Sequence, residues 1–365
     1  MRPTVCLNMI VKDESPVIRR CLESVKPHID HWVIVDTGST DGTQDLVREL
    51  LADIPGTLYE RPWKNFGHNR TEALELARGT ADYTFIIDAD DEFVAPDGMP
   101  ELDPQVDAYD IVLEGTGISF PRTLVVSNRH AWRFVGVLHE YITTDGTTRR
   151  DALKGVRIIE RREGARTRSV STREKYFKDA LVLEEALRDE PDNSRYVFYL
   201  AQSYRDAGLP DAAFRRYEVR TRMGGWDEEI YFSLLEMARL TRLIGKEPSD
   251  VVYRHLTAYQ SRPTRIEPLV ELAQYHRARE EWALALLVAE RAIGIPLPAD
   301  RLFVSVSYWK WGALDEYAIA AYWCGQYHEC EWACRKLLDG SDLPDSERER
   351  VQRNLDWALQ RLQEA

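Results

Sequence analysis

The chain has 365 residues, of which 44% are hydrophobic and 30% are charged, and its formal net charge is −13 at pH 7. This length suits two domains. The acidic balance, with no basic domain, argues against a nucleic-acid partner. No apolar run reaches the length of a transmembrane segment, and Met1-Arg2-Pro3 leads directly into an apolar run without a signal peptide. We therefore expect a cytoplasmic protein.

The first fifty residues alternate between strand and helix patterns. Residues 4–11 read as a buried strand, and Ser15-Pro16 marks the start of a helix through Val25. A second strand at 31–35 ends in the turn 36–43, which is rich in small and acidic residues and opens another helix. This alternation predicts a mostly parallel sheet that binds ligands at the carboxyl ends of its strands.

A cluster of carboxylates follows the next predicted strand. The apolar run 83–87 ends at Asp88, and Asp90 and Asp91 come directly after it. Crowded carboxylates repel one another unless a cation neutralises them, and oxygen ligands suit magnesium or manganese. Acidic turns after strands are also common without any function. Asp36 and Asp88 are expected at the same edge of the sheet.

Five motifs, in order, resemble those of the inverting nucleotide-sugar glycosyltransferases of family 2, which have the GT-A fold. They occupy residues 7–14, 33–43, 65–70, 86–91 and 138–140. The resemblance covers about the first 170 residues. It implies an α/β GT-A domain with a Rossmann-like mixed sheet.

The resemblance also implies roles for individual residues. Asp36 is expected to accept a hydrogen bond from uracil, and Glu14 to border the same base. Arg70 is expected to reach the base or the diphosphate, because its forked donors suit phosphate oxygens. Asp88 would bind ribose or a metal-bound water, and Asp90 would be a metal ligand.

Two of these positions, and Asp13 beside Glu14, leave questions open. Asp36 could instead cap the following helix, a role that is compatible with base binding. Arg70 could be a solvated arginine that pairs with a neighbour such as Glu72. Asp13 adds a negative charge where many family members have Asn-Glu, so its role is open.

The pair His139-Glu140 forms a second candidate centre. By resemblance, His139 is expected to be a further metal ligand. Glu140 is the nearest candidate for the general base that an inverting transfer needs. Neighbouring residues of a strand face opposite ways, so both can serve one site only if the chain turns there. Glu140 could instead be a structural partner of Arg133 or Arg129.

Two further features could contribute to the site. Trp63 and Trp132 offer flat faces to a sugar or acceptor, although packing is the alternative role for both. The basic segment 160–171 contains Arg166 and Arg168, which could close over the diphosphate as a lid. A solvated interdomain linker is the alternative reading of that segment.

The pattern changes to helices alone after about residue 171. Leu200-Ala201-Gln202 and Leu272-Ala273-Gln274 lie about two tetratricopeptide periods apart, and alanine-rich helices recur to the end of the chain. We therefore expect a GT-A domain over 1–170 and a tetratricopeptide-like (TPR-like) helical repeat domain over 171–365. The repeats are expected to complete the core and to hold a macromolecular acceptor or a second protomer, which gives a possible homodimer.

The sequence as a whole predicts a metal-dependent inverting glycosyltransferase. It would use Mn²⁺ or Mg²⁺ and a nucleotide sugar, most simply a UDP-sugar, with a peptide, protein or glycan as acceptor. A nucleotidyltransferase is one alternative, but it would usually have a glycine-rich loop near the first strand. A non-catalytic repeat scaffold with a relic transferase domain is the other.

Overall fold

The computed structural model describes residues 2–115, 119–168 and 170–364. The chain divides into two compact units, residues 1–189 and residues 190–365. The first unit contains all the described strands, and the second contains helices.

A mixed sheet of eight strands forms the centre of the first unit, in the order β3-β2-β1-β4-β7-β6-β10-β5. Its strands in chain order are β1 Val5–Val11, β2 His31–Asp36, β3 Gly56–Glu60, β4 Tyr83–Ile86, β5 Glu92–Val94, β6 Ala108–Glu114, β7 Ser119–Ser127 and β10 Arg150–Ile159. The pairs from β3 to β4 are parallel, and β7 runs antiparallel to both β4 and β6. Asp36 at the end of β2 and Asp88 just after β4 therefore lie at the same edge, as predicted.

The described residues of the first unit also form helices. They are α1 Ile18–Val25, α2 Thr43–Leu50, α3 Phe66–Ala77, α4 Ala165–Arg168 and α5 Thr172–Asp189, with a 3₁₀ turn at Lys26–His28. The helix α3 begins at a defined cap, because the Asn65 side chain accepts a hydrogen bond of 2.8 Å from the His68 amide. Helix α1 buries Ile18, Cys21, Leu22 and Val25 against the sheet core.

A separate two-stranded antiparallel ribbon pairs β8 Arg133–Val135 with β9 Tyr141–Thr143. A backbone hydrogen bond holds the ribbon against α3, because the Gly67 amide donates to the Gly136 carbonyl at 3.1 Å. A Cβ on Gly67 would lie only 2.4 Å from that carbonyl oxygen. The glycine therefore allows α3 to approach the ribbon this closely.

The second unit is built from antiparallel helical hairpins. Its helices are α6 Ser194–Asp206, α7 Pro210–Arg220, α8 Asp227–Leu243, α9 Pro248–Ser261, α10 Glu267–Arg277, α11 Trp282–Ile293, α12 Ala313–Trp323, α13 Tyr327–Asp339 and α14 Asp345–Glu364, with a π-helical turn at Tyr308–Gly312. Small side chains, among them Ala285, Ala289, Ala318 and Ala333, are fully or almost fully buried between successive helices. Such residues let paired helices pack closely, as the repeat pattern predicted.

None of the helices in the described part of the chain is both long enough and apolar enough to cross a bilayer.

Candidate active site

Two arginines and two carboxylates form a compact charge cluster at the carboxyl edge of the sheet. Arg70, on α3, donates from Nη2 to Asp88 Oδ1 at 2.5 Å, and its Nε lies 2.8 Å from Glu140 Oε1. Arg122, on β7, lies 3.9 Å from Asp88 and 3.8 Å from Glu140. The fold thus brings residues from α3, β7 and the loops after β4 and β8 to one place.

Arg70 is the buried centre of this cluster. Its side chain is 8% exposed and packs against the rings of Phe66 and Phe134. Burial alone would lower the pKa of Arg70, but Asp88 and Glu140 raise it above its usual range. The same ion pairs act on the partner: burial alone would raise the pKa of Asp88, but Arg70 and Arg122 lower it. Arg70 is therefore not the solvated helix-face arginine that the sequence left open.

Asp36 has one saturated oxygen and one unpartnered oxygen. Its Oδ1 accepts hydrogen bonds from the amides of Gly38 and Ser39, each at 2.9 Å, and from the Gln44 side chain at 3.2 Å. Its Oδ2 is buried and has no hydrogen-bond partner among the described residues. Helix α2 begins after Gly42 without a side-chain cap, so Asp36 shapes the turn rather than capping the helix. A buried acceptor without a donor is unfavourable by about 1–3 kcal/mol until a ligand or water supplies one.

Asp13 ties the loop after β1 to the turn after β2. Its backbone has a positive φ of 55°. Its amide donates to Ser39 Oγ at 2.9 Å, and its Oδ1 accepts from the Thr40 amide at 2.8 Å. The next residue continues the link, because the Glu14 amide donates to Thr43 Oγ1. The extra negative charge at position 13 therefore has a structural role.

Asp90 and Glu14 both accept hydrogen bonds from the segment 163–168, which we call the strap. The Gly164 amide donates to Asp90 Oδ2 at 2.8 Å, and the Ala165 amide is shared between both oxygens of Glu14 at 3.1 Å. Burial, with Asp90 and Asp41 nearby, raises the pKa of Glu14 to about 7 although the Ala165 amide and Arg168 lower it. The strap therefore lies directly on the acidic residues of the edge.

The two arginines of the strap bind the protein itself. Arg166 pairs with Asp179 on α5 and lies over the Phe66 ring at 5.0 Å. Arg168 donates to the Asp13 carbonyl at 2.9 Å and lies 3.8 Å from Glu14. The short helix α4 covers part of the segment expected to be a loop, while Ser169 of that segment lies outside the described residues.

Asp91 is the buried member of the acidic cluster. Burial and the neighbouring Asp88, Asp90 and Glu160 raise its pKa to about 8, with Arg122 opposing. Together with Arg70, Asp88 and Arg122 it lines a cavity of about 10 Å³. A cavity of this size holds about one water molecule.

His139 and Glu140 lie in the connection between β8 and β9 rather than within a strand. His139 has a positive φ of 52°, so the chain turns there, and its side chain is exposed. The Glu140 side chain is 7% exposed and contacts Arg70. The alternative partners named for Glu140 pair elsewhere, Arg133 with Asp145 and Arg129 with Asp107.

The two tryptophans have different environments. Trp63 is 44% exposed and packs edge-on against Phe66 with 4.8 Å between ring centroids. Trp132 is 3% exposed, belongs to the sheet core and donates from Nε1 to the Ser127 carbonyl at 3.0 Å. The packing alternative therefore describes Trp132, whereas the indole of Trp63 is available at the surface.

A known protein family matches the part of the chain that contains the charge cluster. The profile of the family described as Glycosyl transferase family 2 matches residues 6–155. This segment is a family 2 glycosyltransferase domain. The match includes Asp36, Arg70, Asp88 and Glu140 and ends within β10. The predicted enzyme class, a glycosyltransferase, is thereby confirmed.

Relatives of this chain differ in how much of it they match. A TPR repeat-containing protein of Synechococcus elongatus is 27% identical over 309 residues, which cover 79% of this chain and 75% of the relative. The SPbeta prophage-derived glycosyltransferase SunS of Bacillus subtilis is 37% identical over 89 residues, which are 24% of this chain and only 20% of SunS. The activity and substrates of such a partly matched relative do not carry over to this chain.

Among solved structures, the C-terminal part of a TPR repeat-containing protein from Cytophaga hutchinsonii covers 51% of this chain and 71% of its own, at 15% identity and a TM-score of 0.39. The predicted fold class, a GT-A glycosyltransferase domain followed by helical repeats, is confirmed by the family match and by the mixed sheet and helical hairpins described above.

The chemistry of the Asp90 carboxylate suits a hard divalent cation. Asp90 Oδ1 has no hydrogen-bond donor among the described residues, and carboxylate oxygens are the ligands that Mg²⁺ and Mn²⁺ prefer. No group of three or more His, Cys, Asp or Glu side chains that could hold a metal ion occurs in residues 2–115, 119–168 and 170–364. Magnesium commonly takes only one or two carboxylates from the protein and the rest of its shell from phosphates and water.

Sequence reasoning missed Arg122 and the strap amides. Arg122 stands in Ser119-Phe120-Pro121-Arg122, where no motif distinguishes it. The contacts of Gly164 and Ala165 with Asp90 and Glu14 are made by backbone amides, which every non-proline residue has. A pattern of residue types therefore contains no signal for them.

Proposed function

We propose that this protein is a metal-dependent inverting glycosyltransferase that moves a sugar from a uridine diphosphate sugar to a peptide, protein or glycan acceptor. The single observation that carries the donor assignment is the buried, unpartnered Oδ2 of Asp36. An acceptor at that position suits the N3–H of uracil. Cytosine has a lone pair instead of a proton on N3, so its N3 cannot donate to Asp36.

The other residues around the charge cluster are proposed to bind the rest of the donor and the cation. Glu14 borders the base, and Asp88 faces the ribose or a water on the cation, held in place by Arg70. Asp90 and His139 are the residues that we propose to hold Mn²⁺ or Mg²⁺, which would supply positive charge opposite the leaving diphosphate. The exposed indole of Trp63 is proposed to contact the sugar or the acceptor.

Glu140 is proposed as the general base. Its carboxylate would take the proton from the acceptor nucleophile as the bond from that nucleophile to the anomeric carbon forms. The bond from the anomeric carbon to the diphosphate oxygen breaks on the opposite face, and the nucleoside diphosphate leaves with its electron pair. Arg70 holds Glu140 in place, since its Nε lies 2.8 Å from the carboxylate.

The strap is proposed to act as a lid that brings Arg166 and Arg168 over the diphosphate when the donor binds. Because the strap amides lie on Asp90 and Glu14, it must shift before a cation and a base can reach those carboxylates. The helical unit is proposed to bind the acceptor, or a second copy of the chain in a homodimer.

Titration calorimetry with UDP and with CDP, each in the presence of Mn²⁺, tests the proposal. We expect wild-type protein to prefer UDP, and Asp36→Asn to weaken UDP binding by about tenfold or more because the hydrogen bond to a charged acceptor is lost. Asp45→Asn is the matched control, since Asp45 is 88% exposed on the next helix and pairs with the exposed Arg48 of the same helix. Equal binding of UDP and CDP, or unchanged UDP binding by Asp36→Asn, would contradict the donor assignment.

A further inference from the structure

Arg122 differs from Arg70 in how firmly it is held. Arg70 is 8% exposed and makes contacts of 2.5 and 2.8 Å with Asp88 and Glu140. Arg122 is 34% exposed, and its contacts with the same two carboxylates are 3.9 and 3.8 Å. Those longer contacts are ion pairs without hydrogen bonds, because they exceed the donor-acceptor distance of a hydrogen bond. Arg70 fixes the two carboxylates, and Arg122 only faces them.

The guanidinium of Arg122 has unused binding capacity. It has five N–H donors in a planar fork. In the part of the chain that the structure describes, its contacts with Asp88 and Glu140 are too long for hydrogen bonds, and the side chain is partly open to solvent. A fork of this kind matches two oxygens of a phosphate group.

The surroundings of Arg122 favour an anionic ligand over further contacts with the protein. Arg70 already pairs closely with Asp88 and Glu140, so these carboxylates keep a cation when Arg122 moves away. The nearest basic side chains of the strap pair with the protein itself, Arg166 with Asp179 and Arg168 with the Asp13 carbonyl. Arg122 can therefore turn to a ligand without leaving Asp88 or Glu140 unpaired, because both carboxylates keep Arg70.

We propose that Arg122 binds the diphosphate of the donor and leaves its long contacts with Asp88 and Glu140 when the nucleotide binds. This inference rests on the proposed function and assigns a residue to the leaving group. Bound to the phosphate oxygens, Arg122 stabilises the negative charge that builds on the diphosphate as the sugar departs. Its movement also leaves Glu140 bound to Arg70 alone, with one side open to the acceptor.

The test compares uridine, UMP and UDP as probes, each titrated calorimetrically into wild-type protein, Arg122→Gln and Arg122→Lys with Mn²⁺ present. Arg157→Gln is the matched control. Arg157 is a partly exposed arginine of the same sheet, 40% exposed and 3.0 Å from Glu114. It faces away from the cluster, since its strand neighbour Ile158 lines the cavity beside Arg122.

The expected result is a loss that grows with the number of phosphates. Arg122→Gln should bind uridine as wild type does and UDP about tenfold or more weakly, because charge-assisted hydrogen bonds to phosphate are lost. Arg122→Lys should recover part of the UDP affinity, since it keeps the charge without the fork. Thermal melting and Arg157→Gln show whether the sheet has been disturbed.

Three outcomes would overturn the inference. Unchanged UDP affinity in Arg122→Gln, with wild-type protein binding UDP, would remove Arg122 from the diphosphate and leave the proposed function intact. An equal loss for uridine and UDP would mean that Arg122 only maintains the cluster. Wild-type protein that binds none of the three probes would overturn the proposed function and this inference with it.

Discussion

The Nε atom of Arg70 lies 2.8 Å from Oε1 of Glu140, and this ion pair joins the first half of α3 to the connection between β8 and β9. The other end of the same guanidinium donates to Asp88 at 2.5 Å. One buried arginine therefore sets the positions of two carboxylates that come from distant parts of the sequence. The geometry of the site depends on that side chain.

Replacing Arg70 should destabilise the fold as well as the site. Arg70→Gln leaves Asp88 and Glu140 without their close cation, and breaking a buried ion pair in this way costs about 3–5 kcal/mol. Urea denaturation measures the free energy of unfolding. Arg78→Gln is the control, because Arg78 is exposed at the end of the same helix. A loss for Arg70→Gln no larger than that of the control would show that the cluster does not stabilise the domain.

Replacing Gly67 by alanine should separate α3 from the β8-β9 ribbon. The new Cβ would lie 2.4 Å from the Gly136 carbonyl oxygen, so the backbone must move. We expect a loss of about 1–3 kcal/mol in the free energy of unfolding, as for other overpacked sites, and weaker UDP binding because Arg70 and Glu140 move apart.

Gly294→Ala is the matched control for that change. Gly294 follows α11, and a Cβ there would meet its nearest neighbour at 3.8 Å, an ordinary contact distance. Equal stability of Gly67→Ala and Gly294→Ala would contradict the close approach between α3 and the ribbon.

The sequence predicted the strands and the acidic edge because both have local signals. Apolar runs followed by small and acidic residues indicate strand ends, and Asp36 and Asp88 lie where those runs end. The roles of Arg122 and Asp13 depend instead on which loops and strands meet in three dimensions. Arg122 reaches Asp88 only because β7 pairs with β4, and nothing in the local sequence of either strand specifies that pairing.

The residues next to Arg70 in the sequence also did not predict its burial. The pattern of α3 allows a surface arginine, but Phe134 of β8 and Glu140 of the β8-β9 connection contact it in the fold. Trp132 is a second example. The sequence suggested that its ring could contact a sugar or an acceptor, but the residue is buried in the core. In both cases, packing between elements far apart in sequence decides the environment.

Gly164→Ala should loosen the strap. A Cβ on Gly164 would lie 3.1 Å from Asp90 Oδ2 and 3.2 Å from Glu14 Oε1, which is tighter than most real contacts. Because the Gly164 amide then binds Asp90 less well, we expect tighter binding of Mn²⁺ by calorimetry and faster tryptic cleavage after Arg166 and Arg168. Unchanged metal affinity and unchanged cleavage would mean that the strap does not compete for Asp90.

Asp107 should make the glycosyltransferase domain sensitive to acid. Burial alone would raise its pKa, but Arg129 at 2.7 Å, the Arg149 amide at 2.8 Å and His130 at 2.8 Å lower it from 3.8 to about 2. A carboxyl whose pKa is lower in the folded state stabilises the fold above its unfolded pKa. That contribution is lost as the pH falls from 3.8 towards 2.

The difference in free energy of unfolding between wild type and Asp107→Asn, measured by urea denaturation, should therefore shrink as the pH falls below 4, as linkage requires of a lowered carboxyl pKa. A difference that does not change between pH 5 and pH 3 would exclude an ionised Asp107 as its source.

The most direct test is a crystal structure of the protein with UDP and Mn²⁺ bound. The quantity to measure is the distance between uracil N3 and Asp36 Oδ2. We predict that uracil N3 lies about 2.7–3.2 Å from Asp36 Oδ2, the length of an N–H···O hydrogen bond. A nucleotide bound elsewhere, or bound with Asp36 Oδ2 still without a partner, would contradict the assignment of this edge of the sheet as the donor site.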